Sequence, residues 1–105
     1  MKRSTWLIAA MVATATQAIE PAQADSLVAK AQRAYAHGDH QQALSLFDSV
    51  ATEYNSAGLQ LNIGNCYFKT GDVARAILHY ERGLKLAPGD ADLRANLDLA
   101  NEQVK

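Results

Sequence analysis

From Gln60 to Pro88 small, apolar and polar residues recur at helical spacing, and the pattern predicts two antiparallel helices joined by a tight turn. Gly64 and Ala76 are the small members, one on each helix, where little bulk lets the two axes approach closely. Tyr67 and Tyr80 follow three and four residues later on the same faces and fill the wedge between the pair and its neighbour. Gly71 suits the left-handed position that ends the first helix, and Asp72 is placed to cap the second with its side-chain oxygen. Pro88-Gly89 ends the second helix, and Asp90 is placed to cap a third.

The pattern repeats. Gly38-Asp39 precedes Gly71-Asp72 at a spacing of 33, and Ala43-Leu44 and Phe47 precede Ala76-Ile77 and Tyr80 by the same interval. Ala31 falls close to where Gly64 calls for a small residue. The joint Glu53-Tyr54-Asn55-Ser56 lacks a terminal Pro, and the first unit is one residue shorter there than the usual period of about 34. Downstream, Ala91-Asp92-Leu93 and Asn96-Leu97 repeat Ala57-Gly58-Leu59 and Asn62-Ile63 at a spacing of 34, which predicts one further helix over residues 91–105.

The run QLNIGNCYFKTGDVARAILHYERGLKLAP resembles the tetratricopeptide (TPR) family closely, with Gln60 where that family most often has Trp and Gly83 where it usually has Ala. The resemblance implies an all-α fold: helix–turn–helix repeats stacked as a short right-handed superhelix, with repeats over about 25–56 and 57–90 and a capping helix over about 91–105. It also implies a scaffold that holds a protein or peptide in a concave groove. The family's groove positions fall on Val28, Gln32, Tyr35 and Ala36 in the first repeat, on Leu61, Asn62, Asn65, Phe68 and Lys69 in the second, and on Asp92 and Asn96 of the capping helix. Independently of the family, Leu61, Asn65 and Phe68 form one helical stripe. Asn and Gln both donate and accept hydrogen bonds, which suits an extended peptide backbone, and Tyr35 and Phe68 offer flat apolar contacts. Val28, Asp92 and Asn96 stand where carboxylate-clamping members of the family use Lys and Arg, so an acidic C-terminal tail is not the expected ligand. Residues 62–100 further resemble the TPR segment of exported bacterial proteins associated with aerotolerance, the BatE type, which implies a cell-envelope complex.

Residues 1–24 have another character. Lys2 and Arg3 precede an apolar run from Trp6 to Ala15, Pro21 is read as breaking any helix, and Ala22-Gln23-Ala24 matches the small-x-small pattern before Asp25. This is the organisation of a cleaved secretory leader, with Ala18 as a second cut point, and it places the protein in the periplasm or outside the cell. Thr14, Thr16, Gln17 and Glu20 interrupt the apolar run too early for a membrane anchor. Cleavage before Asp25 leaves the stretch 25–105, with eight basic and ten acidic side chains and a net charge of −2. That balance lacks the basic clusters that nucleic acid or an anionic membrane requires.

Reactive chemistry is sparse. Cys66 is the single cysteine, so no intramolecular disulfide forms, and its mid-helix position offers no activating base. His37 and His40 flank a turn and His79 stands alone in a helix, so no metal site is expected. No nucleophile elbow, phosphate loop or HExxH occurs; neither enzymatic activity nor a cofactor is expected. Two functions fit: a binding module holding an extended segment in the groove, or an assembly subunit docking through its convex face or open helical end. The second reading allows a homo-oligomer and would use Leu97, Leu99 and Val104 of the last helix.

Overall fold

The computed structural model describes residues 17–105. Residues 1–16, which carry the charged start and the whole apolar run of the leader reading, lie outside the described residues. Five helices follow in order: α1 (Pro21–Ala36), α2 (His40–Ala51), α3 (Ala57–Lys69), α4 (Val73–Leu86) and α5 (Ala91–Gln103). The described residues contain no strand, and the fold is all-α. Each helix packs on the next, and α3 also touches α5.

The punctuation follows the side chains. Asp39, Ser56, Asp72 and Asp90 stand at the N-caps of α2 to α5, each accepting a hydrogen bond from a backbone N–H three residues on, at 3.0–3.2 Å. Gly38 and Gly71 take φ of 83° and 87°, a left-handed turn that a Cβ would strain. The chain turns twice in the same way, at the same place in successive repeats.

Close approach is used twice as well. A Cβ on Gly64 would stand 2.5 Å from Cε1 of Tyr80, so α3 and α4 touch because that position is bare. Gly83, the departure from the usual Ala, has the same explanation: a Cβ there would lie 2.8 and 2.9 Å from the two methyls of Leu93. Bareness at Gly83 therefore seats α5 on α4.

Two core clusters result. The first joins Ala31, Ala34, Ala43, Phe47, Val50, Leu59, Ile63 and Cys66 from α1, α2 and α3, with Ala24 at its end. The second joins Ala76, Tyr80, Leu84, Leu93, Leu97 and Ala100 from α4 and α5. Half-buried Tyr67 packs against both, as a wedge residue should.

Two expectations are corrected. Pro21 does not break a helix; it opens α1, where its missing N–H is not needed and its fixed φ suits the first turn. The helical stack thus begins at residue 21 rather than 25, and Ala24, 6% exposed, belongs to the core. Leu97 is the second. It lies four residues after Leu93 on the same face and is buried, so it is unavailable as open-end surface.

Candidate functional site

Three hollows line up along one side of the stack. The middle one, about 100 Å³, is lined by Gln32 and Tyr35 of α1, Phe47 of α2, and Asn62 and Asn65 of α3. Towards the C-terminus it adjoins a hollow of about 220 Å³ lined by Tyr35, Asn65, Phe68, Lys69, Tyr80, Asn96 and Leu99. Tyr35 and Asn65 belong to both. Towards the N-terminus Asn62 is shared with a mainly apolar hollow of about 370 Å³, walled by Pro21, Ala24, Val28, Val50, Tyr54 and Leu59 with Asp25 among its lining. Shared walls make the three a trough.

Helix phase explains the assembly. Asn62, Asn65 and Lys69 are three and four residues apart on α3, and Gln32 and Tyr35 are three apart on α1, so each set lies along one face. Of the residues assigned to a groove from sequence, Gln32, Tyr35, Asn62, Asn65, Phe68, Lys69 and Asn96 line the two adjoining hollows, and Val28 lines the third. Leu61 lines none of them and packs half-buried against the second core cluster. Exposed Ala36 and Asp92 line none either.

Asn65 is already engaged. Its Oδ1 accepts from the Tyr80 hydroxyl at 2.7 Å and from Asn96 Nδ2 at 2.9 Å, tying α3, α4 and α5 together. Burial pushes the Tyr80 phenol up to about 12, so it keeps the proton it donates. What remains for a ligand here is the Asn65 amide N–H₂ and the Asn96 carbonyl oxygen. Tyr35 meets His40 edge-on with centroids 4.8 Å apart, which steadies its ring at the trough wall.

On the other side of α3 a second polar chain replaces the expected Trp. Gln60 is buried at 6% exposure; its Nε2 donates to Asn55 Oδ1 at 2.8 Å, and its Oε1 faces His79 Nδ1 at 2.8 Å. With Oε1 turned to the ring, Nδ1 carries the proton. The imidazole stacks on Tyr67 with centroids 5.3 Å apart, and Arg75 lies 5.9 Å above the same Tyr67 ring. Burial, helped by the Arg82 charge and opposed by Asp48, lowers the His79 pKa. This cluster is structural: it fills the volume a larger side chain takes elsewhere.

Cys66 is fully buried, and burial pushes its thiol up to about 11, the opposite of an activated nucleophile. Among the described residues no group of three His, Cys, Asp or Glu side chains is placed to hold a metal. Sequence reasoning missed Tyr54 of the α2–α3 joint, and Val50 and Leu59 at the helix ends that flank it, because no turn motif fixes the geometry there. It missed Leu99 in the trough by assigning it to the open end; its three-residue spacing from Asn96 was the available signal.

Residues 28–91, more than half the chain, match the family model for the tetratricopeptide repeat. Tetratricopeptide repeat protein 16 of Mus musculus is 30% identical over 93 residues, covering 76% of this chain and 12% of the mouse protein. The proteins of the same name from Macaca fascicularis and Homo sapiens are each 30% identical over 71 residues, covering 67% of this chain and 8% of theirs. The chain thus spans about an eighth or less of the length of these relatives. With the helix pairs, glycine contacts and repeat interval described above, the match leads to one assignment: the chain belongs to the tetratricopeptide repeat family.

Proposed function

We propose that this protein is an exported interaction module that holds an extended protein segment in the trough formed by α1, α3 and α5. The observation that carries the reading is the convergence of Gln32, Tyr35, Asn62, Asn65, Phe68, Lys69 and Asn96 on two hollows that share walls. A trough of this composition suits a segment recognised mainly through its backbone. Asn62, Gln32 and the free half of the Asn65 amide meet peptide N–H and C=O groups, whereas Phe68 and Tyr35 take apolar side chains. The larger hollow between Val28, Val50 and Leu59 takes one bulky apolar side chain at the N-terminal end. The family is generally non-catalytic, which agrees with a binding role. Export to the cell envelope is supported by the leader character of the first residues.

Docking through the open end has less support. Leu97 is buried and Leu99, 54% exposed, lines the trough, which leaves Val104, exposed at 58% near the end of α5. The test is titration of a captured envelope partner against wild type, Phe68→Ala, Asn62→Ala and Val104→Asp, with melting temperatures measured first. Phe68→Ala should weaken binding by about 1–2 kcal/mol, as loss of an apolar anchor does, and Asn62→Ala by about 1 kcal/mol. Unchanged affinity in both groove variants with loss in Val104→Asp would move the function to the end of the stack.

A further inference from the structure

We propose that the leader is removed between Ala18 and Ile19, and that the new α-ammonium of Ile19 docks on the Glu53 carboxylate. This inference rests on the export reading, which it makes specific. Sequence alone favours the Ala22-Gln23-Ala24 motif, but those residues form the first turn of α1. A cut after Ala24 would remove the Pro21 start and the buried Ala24 from the first core cluster. It would also take two walls, Pro21 and Ala24, from the largest hollow of the trough. A helical turn is a poor substrate besides, because a peptidase needs the backbone extended.

The segment just before α1 has the opposite properties. Gln17, Ala18, Ile19 and Glu20 form no helix, and Gln17 and Ala18 are exposed. Thr16 and Ala18 supply small residues at the positions a leader peptidase reads. Immediately beyond, the chain is gripped. Ile19 N donates to Glu53 Oε2 at 2.7 Å, and its carbonyl accepts from the Tyr54 hydroxyl at 2.6 Å. Glu53 and Tyr54 sit in the α2–α3 joint, and half-buried Ile19 packs against the first core cluster. Among the described residues, Ile19 is therefore the first held on both its backbone groups and its side chain.

The chemistry is peptide hydrolysis by an envelope leader peptidase with water as co-substrate. The Ala18 C–N bond breaks, Ala18 takes the hydroxyl oxygen as a carboxylate, and the Ile19 nitrogen takes protons to become –NH₃⁺. The nitrogen that donated a neutral amide hydrogen bond to Glu53 then donates a charge-assisted one from the same position. Processing thus strengthens the clasp between the start of the chain and the α2–α3 joint, and it leaves the trough walls whole.

The full chain with a C-terminal tag would be expressed in a bacterial host that exports it, and envelope material analysed by intact mass and N-terminal sequencing. A start at Ile19 is expected. A start at Asp25 would overturn the inference and leave export intact; a start at Met1 would overturn both. Ala18→Phe should accumulate precursor whereas exposed Ala22→Phe should not, and the reverse result would also overturn it. In the processed protein, Glu53→Gln should lower the melting temperature by about 2–4 °C more than it does after N-terminal acetylation removes the charge. Equal losses in the two forms would remove the ammonium–carboxylate clasp.

Discussion

Phe47 and Tyr80 occupy the same place in successive repeats, and each is 2% exposed. They differ by one hydroxyl group. Phe47 closes the first repeat among Ala31, Ala43, Val50 and Ile63 by shape alone. Tyr80 closes the second and also donates to Asn65, whose oxygen takes Asn96 from α5 as well. The second repeat is therefore joined to the helix beyond it by a polar tie as well as by apolar contact. Helix–helix packing is tolerant of small slides, whereas a two-donor hydrogen bond to one oxygen fixes register. The difference teaches that the C-terminal half holds α5 in a defined position, and α5 carries Asn96 and Leu99 into the trough.

The sharpest way to break the second repeat is to refill its bare contact. Gly64→Val would force a Cβ to within 2.5 Å of the Tyr80 ring, which is itself enclosed. The expected loss is about 2–4 kcal/mol, above the ordinary cost of overpacking because the branched side chain adds to the clash. Urea denaturation followed by circular dichroism measures it. A loss below about 1 kcal/mol would mean that α3 and α4 stand further apart than described.

The polar tie comes next. Tyr80→Phe makes the second repeat resemble the first, and it should cost about 1 kcal/mol because Asn65 still has Asn96 as a partner. Asn65→Ala should cost about 2 kcal/mol, since it strands both the Tyr80 hydroxyl and the Asn96 amide. A double-mutant cycle between Tyr80→Phe and Asn65→Ala should show coupling of at least about 0.5 kcal/mol. Strict additivity would mean that shape alone closes both repeats. Because Asn65 supports the fold in this way, Asn62 is the cleaner probe of binding.

Much of this was legible in the chain. Helix count, both left-handed glycine turns, the capping aspartates and the close approach at Gly64 follow from local spacing, which short-range sterics impose wherever the motif occurs. Eight of the eleven groove positions named in the sequence line the trough, all but Ala36, Leu61 and Asp92, because helix phase puts them on one face. Links between distant residues were not legible. Asn65 meets Asn96 across 31 positions and Gln60 meets His79 across 19, and a hydrogen bond leaves no periodic trace in a sequence. Facing was the other gap: Leu97 and Leu99 are both apolar, and only the packing of α5 on Gly83 decides that one is buried and the other lies open. Pro21 shows the ambiguity of a residue that stops a helix in one position and starts it in another.

The smallest expected effect concerns the Gln60–His79 bridge, which belongs to the second repeat and has no counterpart among the hydrogen bonds of the first. Burial lowers the His79 pKa, the Arg82 charge lowers it further, and Asp48 opposes both. The unfolded chain takes up the proton near the ordinary value of 6.5, before the folded protein does. The bridge therefore stabilises the fold fully above that pH, and the contribution is lost as pH falls through the folded value. Burial pushes the Asp48 carboxyl up, so its own contribution runs in the opposite direction at more acid pH. Comparing wild type with His79→Gln isolates the imidazole, because a Gln amide can still donate to Gln60 Oε1 and carries no titrating proton. Melting temperatures from pH 8 to pH 5 should decline more steeply for wild type than for His79→Gln, by less than either loss expected at Gly64 or Asn65. Parallel curves would show that His79 takes up its proton equally readily in the folded and unfolded chain, and the lowering of its pKa by burial would have to be abandoned.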